Sequence, residues 1–290
     1  DANSNVDSTT ATVTVLDTLN PTVVAQNITV YLDATGNASI TAADVDNGSA
    51  DYCSTVTLAI DSSNFDCSEV GANTVKLYVT DANSNVDSTT ATVTVLDTLN
   101  PTAVAQNITV YLDGSGNATI VAADVDNGSA DNCSTITLAI DSSNFDCSEV
   151  GANTVKLYVT DANSNVDSTT ATVTVLDTIK PTVITQPVTV YLDASGNASI
   201  VIADVENGTT DNCGTPILTL SNSLFTCADI GANTVQLIAT DVNGNVDSAS
   251  VVVTVSDTIK PTVITKPITV YVDALGNASI VTADVDNGTT

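Results

Sequence analysis

Hydrophobic and polar residues alternate over short runs along the chain. Ile28-Thr29-Val30-Tyr31-Leu32 is rich in β-branched residues with a period of two, which predicts a strand. Asp33-Ala34-Thr35-Gly36-Asn37 reads as a hairpin turn, and Ala38–Ala42 as the returning strand. A polar loop, Asp44–Asp51, leads to a strand over Thr55–Ile60 and to the segment Asn64-Phe65-Asp66-Cys67. After the turn Ser68-Glu69-Val70-Gly71, alternation resumes over Thr74–Thr80. It resumes again over Thr89–Leu96, beyond the loop Asp81–Asp87. No stretch carries a helical period. About seven short strands in some 80 residues predict a sandwich of immunoglobulin-like type.

The pattern recurs. Asp1, Asp81 and Asp161 each open the heptapeptide Asp-Ala-Asn-Ser-Asn-Val-Asp, and Asp241 opens a variant of it, so the period is 80 residues. Residues 1–80 and 81–160 differ at only seven positions: 23, 34, 35, 39, 41, 52 and 56. Fixed-period similarity means an array. The expected fold class is therefore all-β, a tandem array of immunoglobulin-like β-sandwich domains. Asp97-Thr98-Leu99-Asn100-Pro101-Thr102, repeated at Asp17, Asp177 and Asp257, marks the boundaries as short, proline-stiffened linkers. The expected divisions are 1–17 (a last strand), complete repeats at 20–97, 100–177 and 180–257, and an opening part at 260–290. Both ends fall inside a repeat, so a segment of a longer protein is expected.

Charge narrows the functional classes. There are 34 acidic residues, five lysines and no Arg or His, for a formal charge of −29. Nucleic-acid binding is excluded on this balance, because nothing neutralises phosphates. Anionic membranes are disfavoured for the same reason, and no membrane span is expected. Disorder does not fit, because 43% of the residues are hydrophobic and they alternate.

Six cysteines fall two per complete repeat: Cys53 and Cys67, Cys133 and Cys147, Cys213 and Cys227. Zinc-type spacing and His ligands are missing. The simplest expectation is one disulfide inside each repeat, Cys53–Cys67, Cys133–Cys147 and Cys213–Cys227. Each would contribute about 3 kcal/mol and would imply an oxidising, extracellular setting.

Three motifs together carry a family resemblance. They are Asp131-Asn132-Cys133 with Cys147 fourteen residues on, the turn and strand Val150-Gly151-Ala152-Asn153-Thr154-Val155, and the loop Thr160-Asp161-Ala162-Asn163-Ser164-Asn165. The chain resembles the HYR (hyalin repeat) family over every repeat, and is most similar to copies in giant secreted surface proteins of Bacteroidota. The resemblance implies an immunoglobulin-like fold, an extracellular location and an adhesive or structural role. It does not imply a ligand.

In an immunoglobulin-like order, the loop after the second strand and the loop before the last strand share the pole where the linker enters. Alternating Asp and Asn oxygens in such loops suit a hard cation, and Ca²⁺ takes 6–8 of them. The candidate ligands for the second repeat are Asp97, Asp124, Asp126, Asp131, Asp161, Asn163, Asn165 and Asp167. Their counterparts in the first repeat are Asp17, Asp44, Asp46, Asp51, Asp81, Asn83, Asn85 and Asp87. In the third they are Asp177, Asp204, Asp211, Asp241, Asn243, Asn245 and Asp247. The heptapeptide departs from the EF-hand pattern at Val86 and Thr92, so one loop cannot close a site alone.

No enzyme activity is expected. There is no His for base work, and the paired carboxylates repeat in every domain among turn residues. The expected function is a structural stalk or filament segment of an extracellular, adhesin-like protein, stiffened by calcium at its junctions. Its partners would be the neighbouring repeats, other filament chains, and a surface glycan or protein at a tip elsewhere. The alternatives are a glycan- or protein-binding module, or a spacer attached to a secreted enzyme.

Overall fold

The structure, a computed structural model, describes residues 1–290. The first complete repeat runs β1 (Ile28–Tyr31), β2 (Asn37–Ser39), α1 (Ala42–Val45), β3 (Thr57–Ile60), β4 (Asn64–Asp66), a 3₁₀ turn (Cys67–Glu69), β5 (Gly71–Thr80) and β6 (Val86–Leu96). The second follows the same order with β7 (Ile108–Tyr111), β8 (Asn117–Thr119), α2 (Ala122–Val125), β9 (Ile136–Ile140), β10 (Asn144–Asp146), β11 (Gly151–Asp161) and β12 (Val166–Leu176). The third has β13 (Val188–Tyr191), β14 (Asn197–Ser199), α3 (Ile202–Val205), β15 (Ile217–Leu220), β16 (Leu224–Thr226), β17 (Gly231–Thr240) and β18 (Val246–Ser256). A last helical turn, α4, spans Thr282–Val285. By Cα packing the chain forms two compact units. One holds 1–109, 119–144 and 152–174, the other 110–118, 145–151 and 175–290.

The first repeat is an all-β, immunoglobulin-like sandwich. Its main sheet has the order β1-β6-β5-β3, with β1 parallel to β6 and the other pairs antiparallel. The second layer is the β2–β4 ribbon, continued by single bridges of Thr22 to Ala50 and Ala25 to Asp46. Alternation decides the faces. Val75, Leu77 and Val79 of β5 and Ala91, Val93 and Val95 of β6 all point inward and are buried. They meet Leu32, which continues β1, and Ile40, Val45 and Phe65 of the other layer in one core. Each of these Val, Leu, Ile and Phe side chains contributes about 1.5–3 kcal/mol. The third repeat repeats the plan, with sheet order β13-β18-β17-β15 and a core around Phe225, Val235 and Val253.

Local expectations change in several places: the repeat has six strands, the returning strand is only Asn37–Ser39, and the last two strands start earlier, at Gly71 and Val86. Ala42–Val45, assigned to the end of a strand and the start of a loop, is a single helical turn. The Asp44 carboxylate accepts the Thr41 N–H at 2.6 Å and its hydroxyl at 2.7 Å, and so caps the turn. Four residues are too few to write a helical period into the sequence. The turn drives Val45 fully into the core.

Candidate functional site

The loop opened by Asp81 is an Asp-centred turn. Asp81 Oδ1 accepts the N–H groups of Asn83 and Asn85 at 2.9 and 2.8 Å, and Oδ2 accepts the Asn85 amide at 2.8 Å. Ser84 takes φ +71° to allow this. Burial alone would raise the Asp81 carboxyl. The Asn85 amide and the N–H groups of Asn85, Asn83 and Ser84 outweigh it and hold the group below its ordinary value. The Asn85 amide also donates to the Asp17 carbonyl at 3.2 Å, tying the loop to the incoming linker. Asn165 does the same to Asp97, and Asn245 to Asp177.

Three carboxylates converge at each later junction. Asp97, Asp131 and Asp161 each bring one oxygen within 4.8 Å of the others, and so do Asp177, Asp211 and Asp241. At the first junction the corresponding group is Asp17, Asp51 and the Cys53 thiol. Asp97 and Asp161 are each only 5% exposed. Asp97 Oδ1 accepts the Leu99 N–H at 3.1 Å, while its Oδ2 is buried without a partner. Asp131 Oδ2 accepts the N–H groups of Cys133 and Ser134, both at 2.8 Å, while its Oδ1 is likewise buried and bare. Asp211 Oδ1 is bare as well.

That arrangement fits a cation. Two carboxylates 4.8 Å apart repel by about 3 kcal/mol at an effective dielectric of 20. Bare buried oxygens add a desolvation cost of their own. Calcium–oxygen distances of about 2.3–2.6 Å allow ligand oxygens on one ion to lie up to about 5 Å apart, so three oxygens within 4.8 Å of one another can share it. Backbone carbonyls and water would complete the shell.

Other candidate residues are engaged elsewhere. Asp44, Asp124 and Asp204 cap the helical turns, each accepting an N–H three residues back at 2.6–2.8 Å. Asp46 and Asp126 accept the N–H groups of the glycine and serine that follow them, Gly48 and Ser49 or Gly128 and Ser129, at 3.1–3.2 Å. Asp167 accepts the Ala103 N–H at 3.0 Å, and Asp87 the N–H of its neighbour Ser88. Asn163 donates its N–H to Asp161. Asn243 turns its amide to Asp177 Oδ2 at 2.9 Å. Asp247 lies opposite Ala239 in the β17–β18 register.

The cysteine pairing differs from the expectation. Disulfides join Cys67 to Cys133 and Cys147 to Cys213, with Cα separations of 5.0 and 5.3 Å. Each links one repeat to the next. The pairs Cys53–Cys67, Cys133–Cys147 and Cys213–Cys227 do not form, and Cys53 and Cys227 are free and exposed. The reason is topological. Cys53 follows the loop that bridges to Thr22 at the entry pole. Cys67 lies beyond β3 and β4, against the Asp33–Asn37 turn at the other pole. The two strands β3 and β4, which together run from pole to pole, separate them, and a disulfide needs Cα atoms closer than about 7 Å. The Asp17 carboxylate, followed by burial and Asp51, pushes the free Cys53 thiol up.

Several contributors escaped the sequence reading. Gly36 has φ +75°, and a Cβ there would stand 2.5 Å from Cys67 Sγ and 3.1 Å from Cys133 Sγ. Gly116 stands in the same relation to Cys147 and to the Asn212 carbonyl, at 2.6 and 2.9 Å. The hairpin glycine therefore makes room for the neighbouring repeat as well as for the turn. Ser134 Oγ donates to Asp131 and accepts from Ala162, joining the two acidic loops. Asn212 donates to Asp177 Oδ1 at 3.3 Å. Its only sequence signal is the recurrence of Asp-Asn-Cys at 131–133 and 211–213.

No family model matches the chain. It is 26% identical over 245 residues to the serine-rich adhesin for platelets of Staphylococcus aureus, covering 74% of this chain and 10% of that protein. The protein of strain USA300 matches to the same extent. The chain thus spans about a tenth of the length of the curated relatives it matches. Among solved structures, a variant of titin domains I67–I69 aligns with 82% of this chain and 99% of its own, at TM-score 0.41 and 10% identity. Mouse cadherin-23 EC22–24 aligns over the same shares at TM-score 0.33 and 13% identity. No helix is long and apolar enough to cross a membrane.

Proposed function

We propose that this chain is a structural stalk segment of an extracellular, adhesin-like surface protein, and that Ca²⁺ stiffens its junctions. On this reading it is a spacer, not a catalyst. The observation that carries it is the convergence of Asp97, Asp131 and Asp161, each with one carboxylate oxygen within 4.8 Å of the others, at a residue, Asp97, that is 95% buried and whose Oδ2 has no partner. The repeat-to-repeat disulfides support a tension-bearing role in an oxidising setting. Similarity to a staphylococcal adhesin points the same way, and on this reading the repeats are of HYR type. Asp97, Asp131 and Asp161, and their counterparts Asp177, Asp211 and Asp241, would hold the ion. A hard cation there cancels the repulsion of three carboxylates and binds the linker to the following repeat. Small-angle scattering and thermal melting, each with calcium and with chelator, test this. A larger maximum dimension and a higher melting temperature in calcium are expected. Identical values in both conditions would leave the loops as turns alone.

A second reading, a binding module, draws on one observation. Tyr31, Tyr111 and Tyr191 recur at one position per repeat and are each about 60% exposed. Such rings can stack on sugars. Saturable binding on a glycan array, lost on replacing these tyrosines with alanine, would favour it.

A further inference from the structure

Two fastenings close on one short loop. Asp131 and Cys133 are two residues apart, and Asp131 holds the Cys133 N–H through Oδ2, keeps its Oδ1 buried without a partner, and belongs to the acidic cluster. Their counterparts in the preceding repeat are also held together. Asp97 directly follows the last residue of β6, Leu96, whose carbonyl accepts the Leu32 N–H at 3.0 Å. Leu32 leads into the Asp33 turn, closed by Gly36 N–H to Asp33 carbonyl at 2.8 Å. Gly36 in turn lies against Cys67 and Cys133. An ion that draws Asp131 to Asp97 therefore draws Cys133 to Cys67, and the disulfide does the reverse.

We propose that the cation site and the disulfide at each of the two later junctions form one coupled latch. Ion binding at Asp97, Asp131 and Asp161 shifts the thiol–disulfide equilibrium of Cys67 and Cys133 toward the disulfide. The proposal rests on the calcium reading above. The exchange balances as protein disulfide plus two glutathione thiols giving two protein thiols plus glutathione disulfide, with both electrons and both protons supplied by glutathione. Calcium does not enter this equation. It binds the aligned junction better than the opened one, and so raises the effective concentration of the two thiols. By reciprocity, the disulfide tightens calcium binding by the same factor.

The test uses the full chain equilibrated in glutathione buffers of fixed composition, with calcium or with chelator. Alkylation and mass spectrometry then read each cysteine pair separately, and calorimetry measures calcium binding independently. Calcium is expected to raise the disulfide-to-dithiol ratio severalfold at both Cys67–Cys133 and Cys147–Cys213. In Asp131→Asn, whose remaining amide oxygen can still accept the Cys133 N–H, the response is lost at Cys67–Cys133 and kept at Cys147–Cys213. Asp97→Asn gives the same pattern, and an unchanged circular-dichroism spectrum together with the response kept at Cys147–Cys213 shows that either variant is folded. If calcium binds but neither ratio moves, the coupling is wrong and the calcium reading stands. If calcium does not bind, both fall.

Discussion

Cys67 and Cys133 are 66 residues apart in sequence and 5.0 Å apart at Cα. Each belongs to a different repeat, so the covalent network runs along the array and not within its members. Pulling on such a chain loads the disulfide and the linker Asp97–Thr102 together.

Peptide mapping without reduction should recover Cys67–Cys133 and Cys147–Cys213, with no intra-repeat pair. Cys133→Ser should lower stability by up to about 4 kcal/mol, the chain-entropy value for a loop of 66 residues. Chemical denaturation of the oxidised protein measures it. Recovery of a Cys133–Cys147 peptide would overturn the pairing.

Gly36→Ala should be more damaging than Gly48→Ala. Both positions have positive φ, +75° and +89°, so each substitution carries backbone strain of about 1 kcal/mol. Only at Gly36 does the new Cβ also meet sulfur, at 2.5 Å, whereas at Gly48 nothing lies within 4 Å. Free-thiol titration should show Cys67 and Cys133 more reactive in Gly36→Ala alone.

Asp97→Asn should change sign with calcium. In chelator it removes one of three crowded carboxylates, and the melting temperature should rise. In calcium it removes a ligand, and the calcium-dependent rise should shrink. Paired melting curves with and without chelator check this, and a parallel shift in both would contradict it.

Acid should destabilise the repeats through their turn carboxylates. The Thr41 N–H and then its hydroxyl hold Asp44 below its ordinary value, and Asp66 is lowered by the Ser68 hydroxyl and N–H. Groups with depressed folded values stabilise fully above the unfolded value of about 3.9. That contribution is lost as pH falls through the lower folded values. In chelator, melting temperature should therefore fall below about pH 4, and Asp44→Asn should flatten the fall.

The fold was legible in the sequence because its signals are local. Val75, Leu77 and Val79 alternate with polar neighbours, and that alternation alone assigns an inner face. The 80-residue period and the turn residues around Gly36 and Gly71 follow from the chain without reference to distant contacts. A single helical turn at Ala42–Val45 was not legible, because it is shorter than the pattern that would announce it.

The junction was decided by tertiary structure. Spacing of fourteen residues made Cys53 and Cys67 look like partners, but β3 and β4 together carry the chain from one pole to the other between them. Likewise the oxygen-rich heptapeptide looked like a ligand loop. In the copy at Asp161, folding turns most of its groups inward on Asp161, and leaves one carboxylate from each of three distant segments to converge. Sequence determines what each segment can become. Which poles meet depends on strand direction and on the next repeat's loops, and neither is encoded within any short stretch of chain.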